Sequence, residues 1–257
     1  AMDEEESSHI DTEDYSTLVI IDMPVAETSG DNVTYSTTPL GIIITEKNVI
    51  TVCTRGNPVL DEFTDGAVKG VQTNLKTRFI LHLMLRIATK YLQYLKQIDK
   101  LSSHVERELR KSMKNSELIQ LLDIEKSLVY FSSSLKGSEI TIEKISRGRV
   151  VKLYEEDQDL LEDVLIEVRQ AIEMSSIYLN ILSGTMDAFA SVISNNLNIV
   201  MKVLASITLI ISIPTVISSF YGMNVEGLPL PFFWFPLLLA IVSMGIAYLI
   251  LRKKDMF

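Results

Sequence analysis

A chain of 257 residues with 24 basic and 33 acidic side chains has a net charge of −9. That excludes nucleic acid as a partner, because a phosphate backbone is bound by basic surfaces. The single cysteine, Cys53, excludes an intrachain disulfide and suits a reducing, cytoplasmic setting for the soluble part.

Residues 1–16 (AMDEEESSHIDTEDYS) are acidic, the opposite of the basic and apolar leader of a secreted protein. Thr17 to Met23 is a β-branched apolar run that ends at Pro24. Leu40–Thr45 and Val49–Thr54 have the same character and flank Glu46-Lys47-Asn48, which predicts a hairpin in a small sheet. Gly56-Asn57-Pro58 breaks that pattern. From about Asp65 to Leu135 the apolar period becomes helical, as Leu75, Phe79, Leu83, Ile87 and Tyr91 illustrate. Ser132 to Ser134 with Gly137 predict a loop between helices, and Arg147-Gly148-Arg149 a second break. Residues 1–150 therefore read as one soluble domain of α+β class. His9, His82 and His104 are isolated along the chain, better read as surface or packing histidines than as ligands. No Walker loop is present to bind ATP. The chain is not expected to be an enzyme.

From about Val151 to Tyr221 a helical pattern runs without proline until Pro214 and with one glycine, Gly184. Apolar residues recur in steps of four and three, from Leu161, Leu165, Val168 and Ile172 up to Val200 and Leu204, with Ser175 as the one polar member. This is a seven-residue repeat kept over about six heptads. At 1.5 Å per residue such a helix spans roughly 100 Å. Its stripe has to be buried on other helices, most simply copies of itself.

Two stretches are long enough for a bilayer core, which takes roughly 20 apolar residues. Ile199 to Tyr221 carries Lys202 as its one charge, and Leu230 to Leu251 carries none. The division expected is 1–150 soluble domain, 151–201 stalk, 202–221 first span, 222–231 outer loop, 232–251 second span and 252–257 basic tail. Lys202 and Arg252-Lys253-Lys254 flank the spans on one side, whereas the connector holds no Lys or Arg. Basic residues stay inside. The expectation is a multi-pass protein of the cell membrane with both termini cytoplasmic and the connector outside.

A second stripe on the long helix is small or polar: Asp187, Ser191, Ser194, Asn198, Met201, Ala205, Thr208, Ser212, Thr215 and Ser219. Inside a bilayer such a stripe faces protein or water, not lipid. Close helix packing is the simpler reading segment by segment. The stripe also continues below the membrane to Asp187 and points up at Asn224, which favours a water-filled conduit. Two spans per chain cannot enclose a pore, so a conduit demands an oligomer with first spans around the axis. In such a ring Asp187 forms a circle of carboxylates. Ser194, Asn198, Thr208, Ser212 and Thr215 line the wall with neutral oxygens. Met201 and Leu204 form an apolar constriction able to gate by dewetting. Neutral oxygens suit a hydrated Mg²⁺, which gives up its waters reluctantly.

Tyr221-Gly222-Met223-Asn224, between two C-terminal spans and entered from a very long helix, resembles the signature of the CorA divalent-cation transporters. Asn198, Met201-Lys202-Val203-Leu204, Thr215 and the basic tail also fall where that family carries similar residues. The resemblance is firm over about residues 150–257 and looser before. It implies a homopentameric funnel: an α+β cytoplasmic domain, a very long stalk helix and a C-terminal two-helix transmembrane hairpin. It implies movement of Mg²⁺, often also Co²⁺ or Ni²⁺, down the electrochemical gradient. Gly222, Met223 and Asn224 would form the selectivity filter, Asp187, Asn198 and Thr215 would line the pore, and Met201 with Leu204 would form the hydrophobic gate. Asn224 and Asp187 would meet the metal. Two features depart from the family. The loop after the motif is Val225-Glu226-Gly227-Leu228-Pro229-Leu230-Pro231 where many members have a Met-Pro-Glu stretch. The N-terminus is shorter than in a typical member, so the first strands of the soluble domain are expected to be missing.

Glu155, Glu156, Asp157, Asp159, Glu162 and Asp163 cluster at the start of the long helix, where acids favour the positive end of its dipole. Asp163 lies deeper. Its position resembles one that in this family faces a neighbouring subunit at a cytoplasmic metal site, which implies a regulatory Mg²⁺ that holds the pore shut. Asp11 and Asp14 are the candidates for the partner carboxylate. Two rival readings stand beside the channel. A proton-coupled zinc transporter of the same superfamily would share hairpin and pentamer. A membrane-tethered scaffold without transport would use the polar stripe for packing alone.

Overall fold

The computed structural model describes residues 6–13, 15–29, 32–56, 58–68, 71–112, 114–148, 151–224, 230, 232–254 and 256. The chain divides into two compact units, residues 1–186 and 187–257.

The first unit is built on a four-stranded antiparallel sheet in the order β1 (His9–Glu13), β2 (Ser16–Ser29), β3 (Asn32–Thr45), β4 (Val49–Cys53). The expected hairpin forms: Thr45 N–H donates to Asn48 C=O at 2.9 Å, and Asn48 N–H to Thr45 Oγ1 at 3.0 Å. Pro24 does not end its strand. It pairs with Thr37 in mid-ribbon, as Pro39 pairs with Asp22. The reason lies in the register. β1 pairs only as far as Ile20 of β2, and β4 only from Leu40 to Ile44 of β3. Each proline stands where its strand has lost its outer neighbour, so its missing N–H breaks no ladder there. The long β2–β3 ribbon was therefore under-read from sequence, and β1 was not foreseen.

Helices α2 (Lys76–Ser112) and α3 (Asn115–Ser146) cover the sheet, and α1 (Pro58–Thr64) packs on α2. Pro58 stands at the first helical position, where no N–H is needed. Ile80, Leu83, Met84, Ile87, Leu95 and Ile98 of α2 are buried, as are Ile21, Met23, Leu40 and Ile42 of the sheet. Side chains of this size each contribute about 1.5–3 kcal/mol on burial. Tyr91 and Phe131 meet edge to face at 5.0 Å, and Tyr35 meets Tyr94 at 5.4 Å.

One continuous helix from Asp65 to Leu135 is not what forms. Lys114 is extended (φ −86°, ψ 148°) and separates α2 from α3 without a glycine or proline to mark the break. The expected loop at Ser132–Ser134 and Gly137 is the interior of α3. These residues are small because the helix lies close to the sheet, not because the chain turns. Ser132 and Ser138 are buried, Ser134 Oγ donates to Thr37 Oγ1 at 3.3 Å, and a Cβ on Gly137 would stand 3.5 Å from Ser8 Cβ. The break at Arg147-Gly148 does form, with Gly148 at φ +69°.

A 3-10 turn (Glu155–Asp157) leads into α4 (Gln158–Tyr221). Asp157 accepts from the Tyr154 amide at 3.4 Å, a cap that starts the helix later than Val151. Within the first unit the stripe is buried at Leu161, Val168, Ser175 and Leu182, with Val164 and Ala171 buried beside it and Leu165 and Ile172 half-buried. Ser175 is fully buried and donates its hydroxyl to Leu128 C=O of α3 at 3.2 Å, which accounts for the one polar residue of the heptad. Here the chain's own α3 covers part of the stripe.

The second unit holds the rest of α4, the turn at Gly222–Asn224 and α5 (Trp234–Lys253). Both helices are long and apolar enough to cross a membrane. Most of their side chains are exposed in the single chain.

Candidate ion-conduction site

Pro214 cannot donate to the carbonyl one turn below, yet α4 continues through it to Tyr221. The helix does not stop at the signature either. Gly222 N–H donates to Ser218 C=O at 2.9 Å and Met223 N–H to Phe220 C=O at 3.4 Å. The last turn thus runs into the motif, and Asn224 is the first residue beyond it. Gly222 is confined: a Cβ there would lie 3.2 Å from the Ser218 carbonyl oxygen. Across the turn, the Tyr221 and Phe235 rings lie 6.2 Å apart. Val225 to Pro229 and Pro231 lie outside the described residues, Glu226 among them.

Below the turn the small polar residues repeat along one face of α4. Their hydroxyls share one arrangement. Thr208 donates to Leu204 C=O at 2.8 Å, Ser212 to Leu209 C=O at 2.8 Å, Thr215 to Ile211 C=O at 3.4 Å and Ser219 to Thr215 C=O at 2.8 Å. Each proton is spent on the helix's own backbone, as polar side chains in apolar surroundings do. Each oxygen is left with lone pairs directed outward. A shallow groove lined by Thr208, Ile211, Ser212, Thr215 and Val216 shares its last two residues with a second one that reaches Phe220 and Met223.

Further down, Met201 and Leu204 are each 56% exposed. Asn198, Ser194 and Asp187 are exposed too, and Ser191 donates to Asp187 C=O at 3.0 Å. Large apolar side chains displayed with polar ones on the same helix mark a surface meant to be covered. The structure thus places Asp187, Ser194, Asn198, Met201, Leu204, Thr208, Ser212, Thr215 and Gly222–Asn224 along one helix and its end. In one chain they converge on no enclosed site.

Asp163 belongs to the first unit and is exposed. Among the described residues no group of three or more His, Cys, Asp or Glu side chains stands ready to hold a metal. Asp11 is exposed and lies 3.9 Å from His9 Nε2, while Asp14 lies outside the described residues. The sequence reading missed two features of the second unit. One is the exposed aromatic group Phe232, Phe233 and Trp234 at the start of α5, placed where rings anchor a span at the membrane surface; its composition was visible in the sequence. The other is fully buried Ser206, which donates to Met256 C=O at 3.2 Å and had no sequence signal.

A family model described as "CorA-like Mg2+ transporter protein" matches residues 1–253. The chain belongs to the CorA-like Mg²⁺ transporter family. That family is one of ion transporters, not of enzymes. Among similar CorA proteins is the cobalt/magnesium transport protein CorA of Methanocaldococcus jannaschii, 26% identical over 266 residues, covering 98% of this chain and 81% of that one. The cobalt/magnesium transport protein CorA of Thermotoga maritima is 25% identical over 178 residues, covering 68% and 51%. The complete structure of the CorA magnesium transporter from M. jannaschii superposes with a TM-score of 0.80 at 23% identity, covering 98% of this chain and 80% of that one. The soluble domain, long helix and second C-terminal helix described above share that fold.

Proposed function

We propose that this chain forms a passive channel for Mg²⁺, with Co²⁺ and Ni²⁺ as further cargo. The observation that carries the reading is the face of α4, whose hydroxyl ladder leads from Thr208 to the Gly222–Asn224 turn in a chain matched over residues 1–253 by the transporter family. In a homopentamer the five α4 helices surround the axis and the exposed face becomes the pore wall. Mg²⁺ keeps its inner waters tightly. Outward lone pairs accept hydrogen bonds from those waters without stripping them. Asn224 presents an amide oxygen at the outer mouth, where Gly222, Met223 and Asn224 act as the filter. Asp187 supplies a ring of negative charge at the cytoplasmic end.

Met201 and Leu204 close the path by excluding water. With both termini cytoplasmic, a negative interior draws the ion inward. A divalent cation gains about 4.6 kcal/mol per 100 mV, twice the value for one charge, so no ATP is needed. Intracellular Mg²⁺ at Asp163, bridged to a neighbouring subunit, holds the ring closed, and its loss releases the subunits by repulsion between carboxylates.

Flux into sealed proteoliposomes tests the reading. Uptake of Mg²⁺ driven by an inside-negative potential and indifferent to a proton gradient is expected. Uptake of Zn²⁺ that follows the proton gradient would favour the proton-coupled zinc transporter instead, and absence of flux with intact oligomers would favour the scaffold.

A further inference from the structure

A cleft in the first unit, between the sheet and α3, has chemistry unlike that of the pore. It encloses about 490 Å³, a size typical of small-molecule sites. At its floor lies Asp22 of β2, 7% exposed. Hydroxyls converge on it from separate parts of the chain. Ser8 Oγ donates to Asp22 Oδ2 at 3.4 Å and accepts from the Asp22 amide at 3.3 Å. Ser138 Oγ is 3.3 Å from Ser8 Oγ, and Ser134, which also reaches the Asp22 carboxyl, donates to Thr37 at 3.3 Å. These contacts are long for O–H···O bonds. They hold the carboxylate loosely and none of them brings a positive charge.

Among the described residues no cation pairs with Asp22. Arg55, the cleft's guanidinium, is bound to Glu27 at 2.5 Å. A carboxylate buried without a counter-charge is costly. Burial pushes the Asp22 carboxyl up, and the Ser134 and Ser8 hydroxyls pull it only part of the way back. A cation entering the cleft would supply the missing charge. A metal ion is a poor match, since the groups that meet Asp22 are neutral hydroxyls and among the described residues no group of three or more His, Cys, Asp or Glu side chains is placed to hold one. An ammonium group fits better, because its three N–H donors can be shared among the Asp22 carboxylate and the hydroxyl oxygens of Ser134 and Thr37. Gly137 keeps the space open beside Ser8. Toward the mouth, Tyr130 offers a ring wall and Glu6 a second carboxylate.

We propose that this cleft binds an organic cation with a primary ammonium head and an aliphatic stem, of the size of a short diamine, its head on Asp22 and its second charge toward Glu6. The site is separate from the ion path and does not depend on the chain conducting Mg²⁺.

Titration of the full chain in detergent micelles with 1,4-diaminobutane, followed by calorimetry at constant ionic strength, tests the proposal. Saturable one-to-one binding is expected in the wild type, weakened about tenfold or more in Asp22→Asn, since a charge-assisted bond is lost. Should Asp22→Asn fail to fold, Gly137→Val carries the test: it keeps Asp22 and fills the cleft, and it too should abolish binding. Equal binding to wild type and either folded variant would overturn the site. Competition by Mg²⁺ at equal charge would overturn the ligand class, as would heat that appears only as non-saturating dilution.

Discussion

The Tyr221 ring, on the last residue of α4, lies 6.2 Å from that of Phe235 in the first turn of α5, with the planes tilted by 56°. The pair ties the two helices together on either side of the Gly222-Met223-Asn224 turn. Such a contact is worth about 0.5–1.5 kcal/mol beyond its buried area. Phe235→Ala is therefore expected to lower Mg²⁺ flux while the oligomer survives, whereas Phe235→Tyr keeps both. Flux per oligomer, measured beside size-exclusion chromatography, checks this.

Gly222 has little room on one side. The carbonyl of Ser218, which already accepts the Gly222 amide, would stand 3.2 Å from any added Cβ. Gly222→Val should displace the last turn of α4 and bring flux to background with helix content unchanged by circular dichroism. Flux at the wild-type level would mean that the turn is not the filter.

The apolar pair below the hydroxyl ladder is the gate of the account. Leu204→Ser wets the constriction, so it should raise Mg²⁺ leak at internal Mg²⁺ concentrations that silence the wild type. Asp163→Ala should do the same by a different route, through loss of the inhibitory ion. Unchanged inhibition in Asp163→Ala removes that residue from regulation and leaves the gate untouched.

The two long apolar helices were legible because a membrane leaves few choices. Two apolar stretches with basic flanks, and a polar face at helical spacing on the first, can be read from the residues alone. The soluble unit was harder. Ser132, Ser134 and Gly137 carry the same letters as a turn, and only the nearness of Ser8 and Thr37 shows that they let a helix lie against a sheet. The break at Lys114 had no glycine or proline to announce it. Pro24 was read as a strand end because the register that frees its outer side is a long-range property. Likewise Ser175 interrupts the heptad in sequence, yet it is the residue that fastens α4 to the Leu128 carbonyl.

Ser175→Ala therefore costs stability rather than function. Loss of a buried hydroxyl bond is worth about 0.5–1.5 kcal/mol. A lower thermal midpoint with flux intact below it is expected.

Asp22 makes stability depend on pH. Burial holds its folded-state value above the unfolded one. Its contribution is then fully present below the unfolded value and is lost as pH rises through the folded value. Asp22→Asn should gain on the wild type as the pH rises through that range, and lose its advantage in acid below the ordinary carboxylate range. Thermal unfolding across pH without added amines reads the difference. A pH-independent difference would mean that the carboxyl is not held up by burial.

The central claim is that divalent ions pass through the turn at Asn224. Mg²⁺ uptake into proteoliposomes loaded with a Mg²⁺-sensitive dye, compared between the wild type and Asn224→Ala, tests it most directly. Uptake by the wild type and its loss in the variant, with the oligomer intact, is the expected result. Equal uptake by both proteins would contradict the account.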